Sequence, residues 1–348
     1  MKFRKFFSLS LIFSLVISNF VFAATDFSYK NKVNVYINDL TDSFNREFAE
    51  QITTLAHNMN IEIELFNGSK NDSLAINQIQ HTLDLDEGVI ILTRSQSVTD
   101  FAADYVPRFG AQLVFYKGHP GANILDAYKD SWFVGYDVQE SVKYQSEMII
   151  DYLNLMKTSQ SRKKPHRDNI NFVMLIGGKE KNKEAMIRTE YLWKFVTRSG
   201  FILNPLSANN DNWKKEEAYK DMQNILKKYK PEDIDLIISN NDSMALGAIE
   251  ALNEIGYNLG TTVANDNNIP VFSIDGIAAG IKAVMEKKLA GTVYTDRVSA
   301  ARAALILATS PQISVEDAEK NIGLKVKSNR EIIIPYLKVA SFREYQRE

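Results

Sequence analysis

From Lys32 almost to the end of the chain, short apolar runs alternate with longer stretches whose apolar residues recur every three or four positions. Two-residue alternation and continuous apolar runs mark strands, and the longer period marks helices. Val33–Asn38 reads as a strand. Asp42 to Asn60 follows as a helix, with Phe44, Phe48, Ile52, Leu55, Ala56 and Met59 on one face. Ile61–Phe66 is the next strand and Leu74–Leu85 a helix. Gly88–Thr93 is a strand too apolar for an exposed edge. A helix near Thr99–Phe109 and the strands Gln112–Tyr116 and Trp132–Asp137 complete a first unit.

A helix over about Gln139–Lys157 leads into a polar, basic loop, and the same grammar restarts. Asn171–Gly178, Phe201–Ala208, Asp235–Asp242, Pro270–Gly276 and Gly291–Asp296 read as strands. Lys183–Ser199, Lys214–Lys228, Ser243–Gly256 and a stretch ending at Lys288 read as the helices between them. Strands alternating with helices imply parallel sheets covered on both faces. The expected class is therefore α/β, with two units that each have a sheet. Ligands of such sheets bind outside the carboxyl ends of the strands.

Composition narrows the function. The 348 residues are 45% apolar, which suits a folded core, and their length suits two domains. Forty-one basic residues face 43 acidic ones, so no basic surplus exists to displace counterions from nucleic acid. There is no cysteine, hence no disulfide, thiolate nucleophile or cysteine-held metal. The first 23 residues read as a cleavable signal peptide. Lys2, Arg4 and Lys5 precede the apolar run Phe6–Phe22, and small residues follow at Ala23 and Ala24. Its removal leaves 38 basic against 43 acidic residues, a net charge of −5. A cysteine-free exported chain carries no lipid-modified cysteine and is expected free in a periplasm.

The residues at the strand ends are the candidates for chemistry. Asp42 suits a helix cap and a ligand contact equally. Phe44 suits either the core or a cleft. Lys117 follows a strand and precedes a Gly-His-Pro turn, where a solvated lysine is the bland alternative. Arg188 has Glu184 four residues earlier, the spacing of a surface ion pair. Trp213 stands in the polar stretch Asn209–Glu217 without apolar neighbours. Asn241, Asp242 and Asp275 end strands, where turns and caps also want such residues. Together these groups offer hydrogen-bond donors and acceptors for a polyhydroxylated ligand. Phe44 and Trp213, one per unit, offer apolar faces for a sugar ring. No nucleophile elbow or His-Glu-x-x-His motif surrounds His57, His81, His119 or His166, and Gly177-Gly178-Lys179 lacks the spacing of a P-loop. No enzymatic site is therefore expected.

These segments resemble the periplasmic sugar-binding proteins of ABC transporters, specifically the galactose/glucose-binding family. The resemblance runs from about Lys32 to Phe342. It is most specific at Ile237–Leu252, Pro270–Gly276 and Lys287–Asp296, and looser at Asp126–Asp137. It implies hydroxyl contacts for Asp42, Arg188, Asn241 and Asp275, and stacking for Phe44 and Trp213. Four pocket positions depart. The family has Asn at Lys117, His at Asn182, Asp at Glu184 and Asn at Thr295. A pocket that hydrogen-bonds its ligand discriminates through such groups. The departures leave open an altered, acidic sugar or a paralogue without high affinity. The family's calcium loop corresponds to Lys157–Asn169, which holds five Lys or Arg and one Asp, so no metal is expected there.

The resemblance further implies two lobes that close on the ligand like a hinge. Three crossings are expected near Asp137–Gln139, Thr295–Asp296 and Ile332–Tyr336. The N-terminal lobe would comprise 32–137 plus 297–331, and the C-terminal lobe 140–294 plus 335–348. The implied partners are a monosaccharide and an inner-membrane permease, with a chemoreceptor as a further one, and the protein would act as a monomer without a cofactor. The same fold could serve as a sugar-sensing module for a chemoreceptor or histidine kinase. A repressor with a similar ligand core would need a DNA-binding segment where this chain has its apolar leader.

Overall fold

The computed structural model describes residues 32–85, 87–158, 169–178, 182–260, 267–327 and 329–340. The signal-peptide reading, most of the basic loop after Lys157, and the tail beyond Ala340 lie outside them.

The first lobe opens with strand β1 (Lys32–Ile37), helix α1 (Ser43–Asn58), β2 (Glu62–Asn67), α2 (Asp72–Thr82) and β3 (Gly88–Leu92). It continues with α3 (Gln96–Tyr105), β4 (Gln112–Tyr116), α4 (Ala122–Ala127) and β5 (Ser131–Gly135). The second lobe holds α5 (Val138–Thr158), β6 (Asn169–Ile176), α6 (Lys183–Arg198), β7 (Ile202–Asn210), α7 (Lys215–Lys228) and β8 (Leu236–Ser239). It goes on through α8 (Asp242–Glu254), β9 (Val271–Asp275), α9 (Ala278–Met285) and β10 (Gly291–Thr295). Then come α10 (Arg297–Ala308), α11 (Val315–Ile322), β11 (Val326–Lys327), β12 (Glu331–Ile333) and β13 (Tyr336–Ala340).

The two sheets have strand orders β11-β12-β5-β4-β3-β1-β2 and β13-β10-β9-β8-β6-β7. Each contains the same doubly wound core, in which the winding direction reverses beside its first strand. In the first sheet that switch point lies between β1 and β3, and in the second between β6 and β8. The central strands β3, β4, β5, β8 and β9 are buried at every position, as their continuous apolar runs require.

Three single passages connect the lobes. The chain leaves the first sheet after β5, returns after β10, and leaves again between β12 and β13. Helix α10 packs its alanines and leucines into the first lobe's core beside Phe48 and Ile52 of α1. The fold is therefore α/β, two doubly wound lobes joined by three hinge crossovers.

The sheets differ in one respect from the purely parallel ones expected from the sequence. β13 runs antiparallel to β10, and β11 antiparallel to β12. The chain enters β13 directly from the hinge, so Tyr336 pairs with Thr295 at the carboxyl end of β10. A parallel partner would need a crossover to carry the chain back to the other end. The strand expected to reach Asp242 also stops early, because Asn241 caps α8 and Asp242 is already helical.

Candidate functional site

A cavity lies between the lobes, at the carboxyl ends of the strands. Its wall includes Phe44, Lys117, Glu184, Arg188, Asp275 and Thr295, all singled out from the sequence, together with Tyr136, Val138 and Tyr336. Each of the three crossings contributes. Tyr136 and Val138 flank the first, Thr295 ends at the second, and Tyr336 begins after the third. A change in hinge angle therefore changes the cavity itself.

Arg188 is the most enclosed charge in the site, 2% exposed on the face of α6. Its Nη2 lies 2.7 Å from Glu184 and 3.4 Å from Asp275, and its Nη1 donates to the carbonyl of Asn240. The spacing to Glu184 suggested a surface pair, but α6 turns this face toward the cleft, where Arg188 is buried and Glu184 partly so. The Nε of Arg188 and the Oγ1 of Thr295 have no partner among the described residues. Buried polar atoms are ordinarily satisfied, so these two stand out among the wall residues.

Glu184 also receives Arg94, which reaches across from the first lobe. Burial pushes the Glu184 carboxyl up, but Arg94, Arg188 and Lys117 overcome this and hold it down at about 2. Asp275 sits in the left-handed region at φ 117 and is pushed up by burial, against the pull of Arg188 and Lys117. Lys117, at φ 67, lays its Nζ 3.5 Å from the centre of the Phe44 ring. Burial and then the Arg94 charge lower its ammonium to about 8, while Glu184, Asp275 and Asp42 pull the other way.

Four other expected contacts stand outside this wall. Asp42, Asn182 and Asn241 spend a side-chain oxygen capping α1, α6 and α8, with bonds of 2.9, 3.0 and 2.9 Å to the third residue on. Asn241 also donates to the carbonyl of Trp213. The Trp213 ring faces the guanidinium groups of Arg94 and Arg188, at 5.5 and 5.6 Å. It also borders the second lobe's core, although its neighbours in the sequence are polar.

Arg94, Tyr136, Val138 and Tyr336 were missed. Arg94 follows β3 at the switch point of the first sheet, which is the signal that could have found it. Arg297 was missed too. It donates to the carbonyls of Asp275 and Gly276 at 2.8 Å and pairs with Glu47 at 2.9 Å, so it ties the second crossing to both lobes.

Two lobes of like topology, a polar cleft at their strand ends and three crossings between them are the architecture of a two-lobed binding protein. The profile of the periplasmic binding protein domain matches residues 33–310, and the chain belongs to that family. It is 27% identical over 334 residues to the D-galactose/methyl-galactoside binding periplasmic protein MglB of Haemophilus influenzae, covering 91% of this chain and 92% of that one. The D-xylose-binding periplasmic protein of the same organism is 23% identical over 331 residues, covering 91% of this chain and 89% of that one. Among solved structures, an ABC transporter solute binding protein from Bacillus halodurans with bound myo-inositol superposes with a TM-score of 0.65 at 20% identity, covering 92% of this chain and 99% of that one. A periplasmic solute binding protein from Actinobacillus succinogenes with bound D-allose gives 0.66 at 16%, covering 91% and 100%. At these identities the structures speak for the fold.

Proposed function

We propose that this protein is a periplasmic substrate-binding protein, not an enzyme, that captures a monosaccharide of the galactose and glucose type and delivers it to an ABC permease. The lobes that close are residues 32–137 with 297–331, and 140–294 with 335–348. The observation that carries the reading is the interlobe cavity with its unpartnered Arg188 Nε and Thr295 Oγ1. Ring hydroxyls would bond Arg188, Glu184, Asp275 and Thr295, and charge-assisted bonds of that kind are the strong ones. Phe44 would meet an apolar face of the ring. Asp42, Asn182, Trp213 and Asn241 would support the wall from behind, through the helix ends and the Trp213 turn. Relatives named for galactose and xylose support a compact sugar as the ligand class.

Closing would be the signal the permease reads, and the protein would work as a monomer. The ligand must bind the closed form better than the open one for closure to follow. The test is a screen of neutral, acidic and phosphorylated monosaccharides by melting temperature and tryptophan fluorescence. A rise in melting temperature with at least one sugar is expected. No response to any would overturn sugar binding.

A further inference from the structure

One charge lining the cavity has no partner. Lys117 and Arg188 line the wall with Glu184 and Asp275, and Arg94 and Asp42 stand beside them. Both carboxylates are committed: Glu184 pairs with Arg94 and Arg188, and Asp275 with Arg188. Lys117 is the charge left over. Among the described residues no carboxylate lies within ion-pair range of its ammonium. Asp42, which faces it from the start of α1, turns Oδ1 to the backbone N–H of Asn45. The Lys117 ammonium rests on the Phe44 ring instead.

That placement decides what the cleft can accept. A neutral sugar that stacked on Phe44 would have to push a charged ammonium off the ring and could offer it hydroxyl oxygens but no counterion in a confined space. Burying an unpaired charge is costly. A ligand with a negative group removes the same obstacle by supplying the missing counterion, and charge-assisted bonds are about twice as strong as neutral ones.

Building on the monosaccharide reading above, we propose that Lys117 sets the specificity of this cleft and that the ligand is a sugar acid, whose carboxylate draws the ammonium off Phe44 and frees the ring for stacking. The hydroxylated remainder lies toward Arg188, Asp275 and Thr295.

Protonation sharpens the consequence. The groups facing Lys117 are Arg94, Glu184, Asp275 and Asp42, and its ammonium is lowered to about 8. A carboxylate partner raises it again. Above about pH 8, binding must therefore take up a proton, and affinity for the acid falls by up to about tenfold per pH unit. Affinity for a neutral sugar carries no such penalty.

The experiment is calorimetric titration of the purified protein with matched pairs, glucose against glucuronate and galactose against galacturonate, with glucose 6-phosphate as a further arm, from pH 6.5 to 9.5. At pH 7 one of the acids is expected to bind at least tenfold more tightly than its neutral partner, and to weaken above pH 8. Lys117→Met should remove that preference, and Lys117→Asn should favour the neutral sugar. The wild-type pH profile stands even if both variants unfold. Neutral sugars binding as tightly as the acids would overturn the sugar-acid assignment and leave sugar binding intact. Tight binding of the phosphate alone would overturn the carboxylate. Binding of nothing in the panel would overturn both readings.

Discussion

Asp211 and Asp242 are buried carboxyls that serve the second lobe rather than the ligand. Asp242 accepts from the hydroxyls of Ser273 and Thr292, at 2.5 and 2.6 Å, and from the backbone N–H of Ile277 at 2.8 Å. Burial and the neighbouring Asp275 nevertheless raise it to about 7. Asp211 has a buried oxygen without a partner among the described residues, and burial, with Asp221 and Glu217 nearby, raises it to about 7 as well. The sign follows from proton counting. Between the unfolded value near 4 and the folded value near 7, the folded state holds more protons, so stability falls as pH rises through that window. Each such group contributes up to about 1.4 kcal/mol per pH unit. Unfolding in urea should therefore become easier from pH 5 to 7.5. Asp211→Asn should flatten the slope and stabilise the protein at pH 8. An unchanged slope would mean that Asp211 is ionised in the folded state. None of this was legible in the sequence, where Asp211 is one acid in a polar stretch. Its burial comes from the return of the chain from β7 into α7, which local composition does not reveal. Phe44, Lys117 and Asp275 were legible because strand ends face the cleft in any doubly wound sheet. Whether such a residue lines the cavity or caps a helix depends on one rotamer, and so Asp42, Asn182 and Asn241 could not be separated from them.

At the scale of elements, the turn between β6 and α6 shows how tightly the second lobe is fitted around its aromatic. A Cβ added to Gly177 would come within 2.1 Å of the Trp213 ring, so only glycine lets the ring approach this backbone. Trp213 in turn lies beside Arg94 and Arg188. Gly177→Ala should push the ring toward those guanidinium groups and disturb the Arg188–Glu184 pair. The expected result is a shifted tryptophan emission and ligand binding at least about tenfold weaker, against a destabilisation of about 1–3 kcal/mol, the usual cost of overpacking. Unchanged emission and affinity would mean that the ring has room elsewhere. Most elements were legible in advance, since β3, β4, β8 and β9 are continuous apolar runs and α1 carries a regular stripe. The antiparallel β13 was not. Tyr336–Ala340 has no pattern that distinguishes a parallel from an antiparallel neighbour, and its direction is fixed by where the hinge delivers the chain. Helices α4, α10 and α11 were also unforeseen. α10 is buried nearly all round, so it lacks the polar face that periodicity detects.

For the whole molecule, the question is what holds the lobes together at their present angle. Glu47 of α1, in the first lobe, reaches one group across the cleft and one at the second crossing. Its Oε1 accepts from the backbone N–H of Ala278 at 2.9 Å, and its Oε2 pairs with Arg297 at 2.9 Å. Ala278 is the first residue of α9, and Ile277 before it provides no side-chain cap. The helix end in one lobe is thus capped by a carboxylate from the other. Orphan N–H groups and the helix dipole both favour a negative charge there. Arg94 and Glu184 make a second clasp, but Arg94 is more exposed and its pair more screened. Breaking the Glu47 contacts should therefore loosen closure more than breaking the Arg94 pair. If the Glu47 bond to Ala278, with the positioning of Arg297 by the other carboxylate oxygen, contributes about 1–2 kcal/mol to the closed form, Glu47→Ala reduces the closed population and weakens apparent affinity by about 5- to 30-fold. Small-angle scattering should give a larger radius of gyration for the ligand-free variant than for the wild type. Saturating ligand should return both to one value, because the ligand still bridges the lobes through residues the substitution leaves alone. A variant with wild-type radius and affinity would mean that the angle between the lobes is set by the three hinge strands themselves, with the Glu47 contacts merely following.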